Sequence, residues 1–320
     1  MRGRALALPA FTLMGVSMSN ISHARLRARG LLTAGIGVFV LSFDSLLVRL
    51  AQTNAWNIVF WRGLFIALSL GLLSLYGRRC VSLKGRLAPA VAASLMSGLG
   101  ASLFVLGVMH TKVANAVVIL SAAPLFAAIF TRLFLQERVP LRTWAAIIVA
   151  MLGMSIVFAG SLSGEGLLGN VFALGSAMAA GANLTLLRRH PTLDRVPVVA
   201  GAGVVALLFA LPMAQPFSIG QHSYGVLALM GLLQMPFAMV MMSNATRYLP
   251  SAEVALFLLV ETVLGTVWVW WLLGEAPPDA TFFGGGLIVA TLAAHGWLGL
   301  RSSRTEVADD VAFSPAPRQP

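Results

Sequence analysis

The chain has 320 residues, 58% hydrophobic and only 10% charged, against about 25% charged in an ordinary soluble domain, so its apolar surface needs lipid as solvent. The net charge of +11 does not mark a nucleic-acid binder, because the arginines fall in short clusters between apolar stretches, as in loops facing an anionic leaflet. The single cysteine, Cys80, excludes an internal disulfide and a thiol pair for metal or redox work, and no cofactor is expected.

Residues 1–29 read as a disordered cytoplasmic extension. Arg2 and Arg4 ahead of an apolar run imitate a secretory signal. The run is short, contains Pro9 and lacks an Ala-x-Ala site, and Met18 offers an alternative start. Ten stretches long enough to cross a bilayer, which takes about 20 apolar residues in a helix, then follow. They are 30–50, 57–76, 87–109, 114–135, 142–160, 167–187, 197–214, 223–243, 251–273 and 280–300. The tail 301–320, with Asp309, Asp310 and three prolines, reads as disordered.

All but three of the 22 Lys and Arg residues fall on one side if the N-terminus is cytoplasmic; Arg49 and Lys112 lie opposite and Arg62 lies within a span. This asymmetry predicts a multi-pass protein of the inner (plasma) membrane with both termini in the cytoplasm. Trp56, Trp268, Trp270 and Trp271 are expected at the outer boundary, and Trp144 and Trp297 at the inner one, as interfacial belts.

Setting Val113-Ala-Asn-Ala-Val on Ser251-Ala-Glu-Val-Ala also brings Leu135-Gln136-Glu137 onto Leu273-Gly274-Glu275, and a register one residue longer sets Asp44 on Asn183 and Arg49 on Arg188. The chain therefore reads as two five-helix halves, 30–160 and 161–300. An odd number of spans turns the second half upside down, placing Glu137 and Glu275 on opposite faces. Inverted repeats support two conformations, each open to one side, with a solute site near the midplane.

Residues 114–160, through Ala-Asn-Ala-Val-Val, Ala-Pro-Leu-Phe-Ala, Leu-Gln-Glu-Arg, Trp144 and Gly153, resemble the EamA domain of the drug/metabolite transporter superfamily. Residues 251–299 resemble its second copy, through Glu261-Thr262-Val263-Leu264-Gly265 and Leu273-Gly274-Glu275. The resemblance covers roughly residues 30–300. It implies an all-α membrane fold of ten helices, and export or exchange of amino acids, nucleosides or similar metabolites. The family commonly carries a proline in the fourth and ninth spans; Pro124 fits, but Thr262 stands opposite it, so a kink in the ninth helix is in doubt.

Charged groups at membrane depth are costly and therefore candidates for function. Asp44 binds a solute amine or a proton, or else pairs with Arg62, because Arg49 points elsewhere on the helix. Arg62 holds a substrate carboxylate or neutralises Asp44. Glu261 carries a proton, whereas Glu253 reads as a helix-start residue favoured by the dipole. Glu137 and Glu275 accept from free N–H groups at the next helix start, or else act as gates. Gln234, Asn115 and Asn183 line a cavity or bond between helices. His295 reads as interfacial. Ala280/Gly284 and Gly286/Ala290/Ala294 form small-residue packing rows, and Pro124 and Pro236 mark breaks beside a cavity. Gly201-Ala-Gly203 imitates a dinucleotide fingerprint but lies inside an apolar span and is discounted.

These features favour a secondary transporter of a small polar solute, driven without ATP because no phosphate-binding loop is present. Proton coupling through Asp44 or Glu261 is the expected energy source. The alternatives are a non-transporting scaffold or sensor partner and a membrane-embedded lipid enzyme. The latter lacks a nucleophile or metal cluster. Substrate and oligomeric state are open from sequence.

Overall fold

The computed structural model describes residues 12–76, 87–158, 166–274 and 279–312. These form thirteen α-helices in chain order: α1 Thr12–Leu41, α2 Asp44–Ala51, α3 Ala55–Tyr76, α4 Leu87–His110, α5 Val113–Leu120, α6 Ala123–Phe130, α7 Leu141–Val157, α8 Leu167–Arg189, α9 Arg195–Ala210, α10 Gln221–Leu229, α11 Met235–Ala245, α12 Ser251–Leu273 and α13 Asp279–Ala312. Two π-helical segments, Thr131–Leu135 and Met230–Gln234, continue α6 and join α10 to α11. Among the described residues eight helical stretches are long and apolar enough to cross a membrane, and Leu141–Val157 and Arg195–Ala210 are shorter apolar helices. Eight of the ten predicted stretches thus have a helix of full crossing length, and the fifth and seventh have the two shorter ones.

The breaks lie where the backbone is interrupted. The first span splits at Ser42 and Phe43 into α1 and α2, the fourth at Ser121 and Ala122 into α5 and α6, and the eighth carries a π segment just ahead of Pro236. Pro124 sits in the first turn of α6, where its missing N–H costs nothing. The ninth span is unbroken, as Thr262 in place of proline suggested. The end helices overrun the predicted limits: α1 begins at Thr12 and α13 ends at Ala312, because helix propensity persists beyond the apolar stretch that set those limits.

The contacts repeat when the halves are exchanged. Equivalent spans cross each other at α3–α9 and at α7–α13, and α4 on α8 has its counterpart in α11 on α1. Glycines permit the closest crossings. A Cβ on Gly63 would come 2.7 Å from the Gly203 carbonyl oxygen, and one on Gly203 would come 2.8 Å from that of Gly63. The fingerprint-like Gly203 is thus a packing residue. Gly153 and Gly284 meet in the same way, whereas Gly286 faces open space, so only the first of the predicted small-residue rows on the last span packs.

Apolar side chains such as Leu75, Leu141, Leu167 and Phe283 are left exposed, the outward face expected of a bundle solvated by hydrocarbon. Of the predicted belt, Trp270, Trp271 and Trp297 are exposed, but Trp56 is buried against Phe209 and Trp268 turns inward.

Candidate functional site

The break in the first span organises a polar group between the halves. Interrupting a helix frees backbone carbonyls that must find donors at membrane depth. Gln234, at the end of the π segment in the eighth span, donates its Nε2 to the carbonyls of Val40 (3.0 Å) and Leu41 (3.3 Å). Ser42 Oγ donates to the Phe39 carbonyl, and Trp268 Nε1 on α12 donates to Ser42 Oγ at 2.9 Å while its ring stacks on Phe43 at 4.8 Å. Gly265 lets α12 approach: a Cβ there would lie 2.6 Å from Ser45 Oγ. Glu261 is one turn away on the same helix face, so the Glu261…Gly265 motif of the second repeat is aimed at the broken first span.

Asp44, the first residue of α2, faces Arg62 of α3 with Oδ2 and Nη1 3.5 Å apart; the side chains are 17% and 18% exposed. Glu261 lies within electrostatic reach of both, repelled by Asp44 and attracted by Arg62. Three ionisable groups from the first, second and ninth spans thus share one site, as expected for Asp44 and Arg62. With both carboxylates ionised the group carries one negative charge, which favours a cationic partner or a proton. Asp44 Oδ1 and Gln234 Oε1 are buried without a hydrogen-bond donor, as is Asn183 Oδ1 on α8. Buried acceptors of this kind are costly and can be satisfied by donors on a solute. Asn115 is elsewhere, bonded to Thr111 Oγ1 at 3.1 Å.

The end where the arginines gather is packed shut. Arg27 on α1 donates to both carboxylate oxygens of Glu253 (3.0 and 3.1 Å), and His295 Nε2 on α13 lies 3.5 Å from Glu253 Oε1. Glu253 is 3% and His295 7% exposed. Glu253 does lie in the first turn of α12, as expected, and is in addition a buried ion-pair partner; the expectation for His295 is corrected, because it is buried rather than interfacial. The hydroxyls of Thr131 and Ser251 meet at 2.5 Å. Glu137 does not cap α7, whose N-cap is Pro140 without a side-chain bond; it pairs across the halves with Arg188 at 3.7 Å. Glu275, the other gate candidate, lies outside the described residues.

One apolar cluster, including Val38, Ala127, Leu184, Ala255 and Ile288, draws both halves together at this end. On α12 every residue from Ser251 to Leu256 is buried, and Gly265 is the last buried one. The opposite half of this central helix is therefore loosely covered. The signal available from sequence was the acid at 253 itself; its partners, 226 residues away for Arg27, were not legible.

Among the described residues no group of His, Cys, Asp and Glu could hold a metal.

The sequence profile of the EamA-like transporter family fits residues 28–159 and, a second time, 167–294. The chain belongs to that family, one of membrane transporters rather than enzymes. It is 28% identical over 278 residues to the pseudopaline exporter of Pseudomonas aeruginosa, covering 83% of this chain and 95% of that one. It is 28% identical over 215 residues to a Streptantibioticus cattleyicolor protein named "Probable terminal-alkyne amino-acid exporter", covering 63% of this chain and 71% of the relative. A solved crystal structure at 18% identity superimposes with a TM-score of 0.73 over 86% of this chain and 98% of its own, a likeness of fold alone.

Proposed function

We propose that this EamA-family transporter exports a small amino-acid-like metabolite by alternating access across the inner membrane, with its basic end and both termini in the cytoplasm. The observation that carries the reading is the Asp44–Arg62–Glu261 group beside the break in the first span, on the seam between the halves. The solute ammonium sits between Asp44 and Glu261, and its carboxylate displaces Asp44 from Arg62, whose planar fork matches a carboxylate. Asp44 Oδ1 and Gln234 Oε1 accept its remaining donors. The amino-acid substrate in one relative's name supports a zwitterion.

The packing supports a state closed to the cytoplasm and accessible from outside. Opening the other way requires Arg27 to leave Glu253 and Glu137 to leave Arg188. A proton taken by Asp44 or Glu261 on the outside, in exchange for the solute, supplies the energy. One proton brings the Asp44–Arg62–Glu261 group from one negative charge to neutral, so the apolar seam can slide past without carrying a net charge.

The test begins with metabolite profiling of cells with and without the protein. Flux of the retained compounds is then measured in proteoliposomes with and without a pH gradient. The expected result is retention of compounds bearing both an amine and a carboxylate, with gradient-stimulated flux. Asp44→Asn or Glu261→Gln abolishes the stimulation. Retained compounds without either group would overturn the solute assignment, and full stimulation in both variants would overturn the coupling.

A further inference from the structure

A second cationic feature lies away from the seam, at the basic ends of the fourth, sixth and eighth spans. Two adjoining cavities of about 360 and 490 Å³ share Arg247. The larger is lined by Phe134, Leu135, Glu137, Arg188 and Arg189, and the smaller by Asp194, Arg195 and Asn244. Four arginines therefore meet two carboxylates.

Each carboxylate is engaged by one of them, Glu137 by Arg188 and Asp194 by the neighbouring Arg195, which leaves Arg189 and Arg247 in excess. Glu137 Oε1 is held by Arg188 at 3.7 Å, and Asp194 caps α9 by accepting from the Val196 N–H at 3.1 Å. Arg195 is 1% exposed and donates to the carbonyls of Leu187 (2.8 Å) and His190 (3.2 Å), yet its buried Nε has no acceptor. The positive field is felt nearby: the His190 imidazole, just past the end of α8, is held below its ordinary range, first by burial and then by Arg189 and Arg195.

The other wall is apolar. Phe134 is 60% and Leu133 63% exposed, and the Phe134 ring lies 5.9 Å from that of Phe130 one turn deeper. A basic floor opening onto an apolar, membrane-facing wall fits a molecule with a phosphate head and hydrocarbon tails. An inorganic anion would use the floor alone.

We propose that this cavity seats the phosphate of an anionic phospholipid from the cytoplasmic leaflet, held by Arg189 and Arg247, with an acyl chain along Phe134 and Phe130. Guanidinium groups bind phosphate oxygens in a fork, and basic pockets between helices at the cytoplasmic side are suited to anionic headgroups. A lipid here braces the Glu137–Arg188 contact between the halves. The proposal rests on the basic end facing the cytoplasm, but its test reads binding, so failure of the flux assay leaves it untouched.

The purified full-length protein in detergent is titrated with phosphatidylglycerol, with phosphatidylcholine of the same acyl chains, and with inorganic phosphate. Bound lipid is counted by native mass spectrometry. The expected result is retention of phosphatidylglycerol over both others, weakened about fivefold by Arg189→Gln and by Arg247→Gln. Arg132→Gln, at an exposed arginine outside the cavity, leaves it unchanged. If Arg247→Gln fails to fold, Arg189→Gln at an exposed position decides. Equal binding of phosphatidylcholine, displacement of phosphatidylglycerol by inorganic phosphate, or an equal loss in Arg132→Gln overturns the proposal.

Discussion

Glu253→Gln isolates the contact that holds the arginine-rich end shut, the end that the proposed orientation places in the cytoplasm. Glu253 accepts from Arg27 through both oxygens at 3.0 and 3.1 Å, with the side chains 4% and 16% exposed, and His295 closes the third side at 3.5 Å. Removing one partner of a buried pair costs about 3–5 kcal/mol because the other charge is left unpaired. The Arg27 side chain is 16% exposed and long enough to swing its head to water, which lowers the cost to about 2 kcal/mol. In the proposed alternating-access cycle the pair is made only in the closed arrangement, so that cost shifts the equilibrium toward the state open at this end by about 30-fold. The assay is thiol labelling from the cytoplasmic side, with Cys80→Ser removing the one native cysteine and Ala255→Cys as reporter. Ala255 is 0% exposed and belongs to the cluster that joins the halves. The labelling rate rises by about that factor in Glu253→Gln and falls back in Glu253→Asp. An unchanged rate in a folded Glu253→Gln protein would refute the assignment of this ion pair as the closure at the arginine-rich end.

The glycine crossing makes a cleaner stability prediction. A Cβ on Gly63 meets the Gly203 oxygen and the Leu207 nitrogen at 2.7 and 2.8 Å, both backbone atoms, whereas Gly71 on the same helix has nothing within 4 Å. Gly63→Ala should therefore cost about 1–3 kcal/mol, and Gly71→Ala should be neutral or stabilising by up to about 1 kcal/mol; thermal unfolding in detergent compares them. His190 predicts a pH dependence. Its folded value lies below the ordinary 6.5, so the unfolded chain takes up the proton more readily, and stability present above 6.5 is lost as pH falls toward the lowered value. His190→Gln should flatten that part of the pH–stability curve, and an unaltered curve would show that another group is responsible.

Legibility from sequence followed the range of the physics involved. Asp44 and Arg62 were recognisable as partners because each is a lone charge in an apolar helix and the two spans are consecutive. Pro124 and Pro236 were readable as breaks because proline removes its own N–H. The break at Ser42–Phe43 carries no proline or glycine, and it persists because Gln234 and Trp268 satisfy its polar atoms from spans far along the chain. The burial of Glu253 and His295 escaped notice for the same reason. Judged on their own helices they look like terminal residues, and only their mutual packing with Arg27 makes them a buried cluster.

Hydropathy, the one-sided placement of Arg and Lys and the doubled motif pointed to an all-helical membrane fold of two repeats, because transfer into lipid is a sum over residues in one local stretch. Which faces of those helices meet was a different matter. It depends on crossings where glycines let backbones touch, on the rotation each helix adopts there, and on long-range donors that reach freed carbonyls. Those three-dimensional terms placed the charged site beside the broken first span and closed one end of the seam while leaving the other loose.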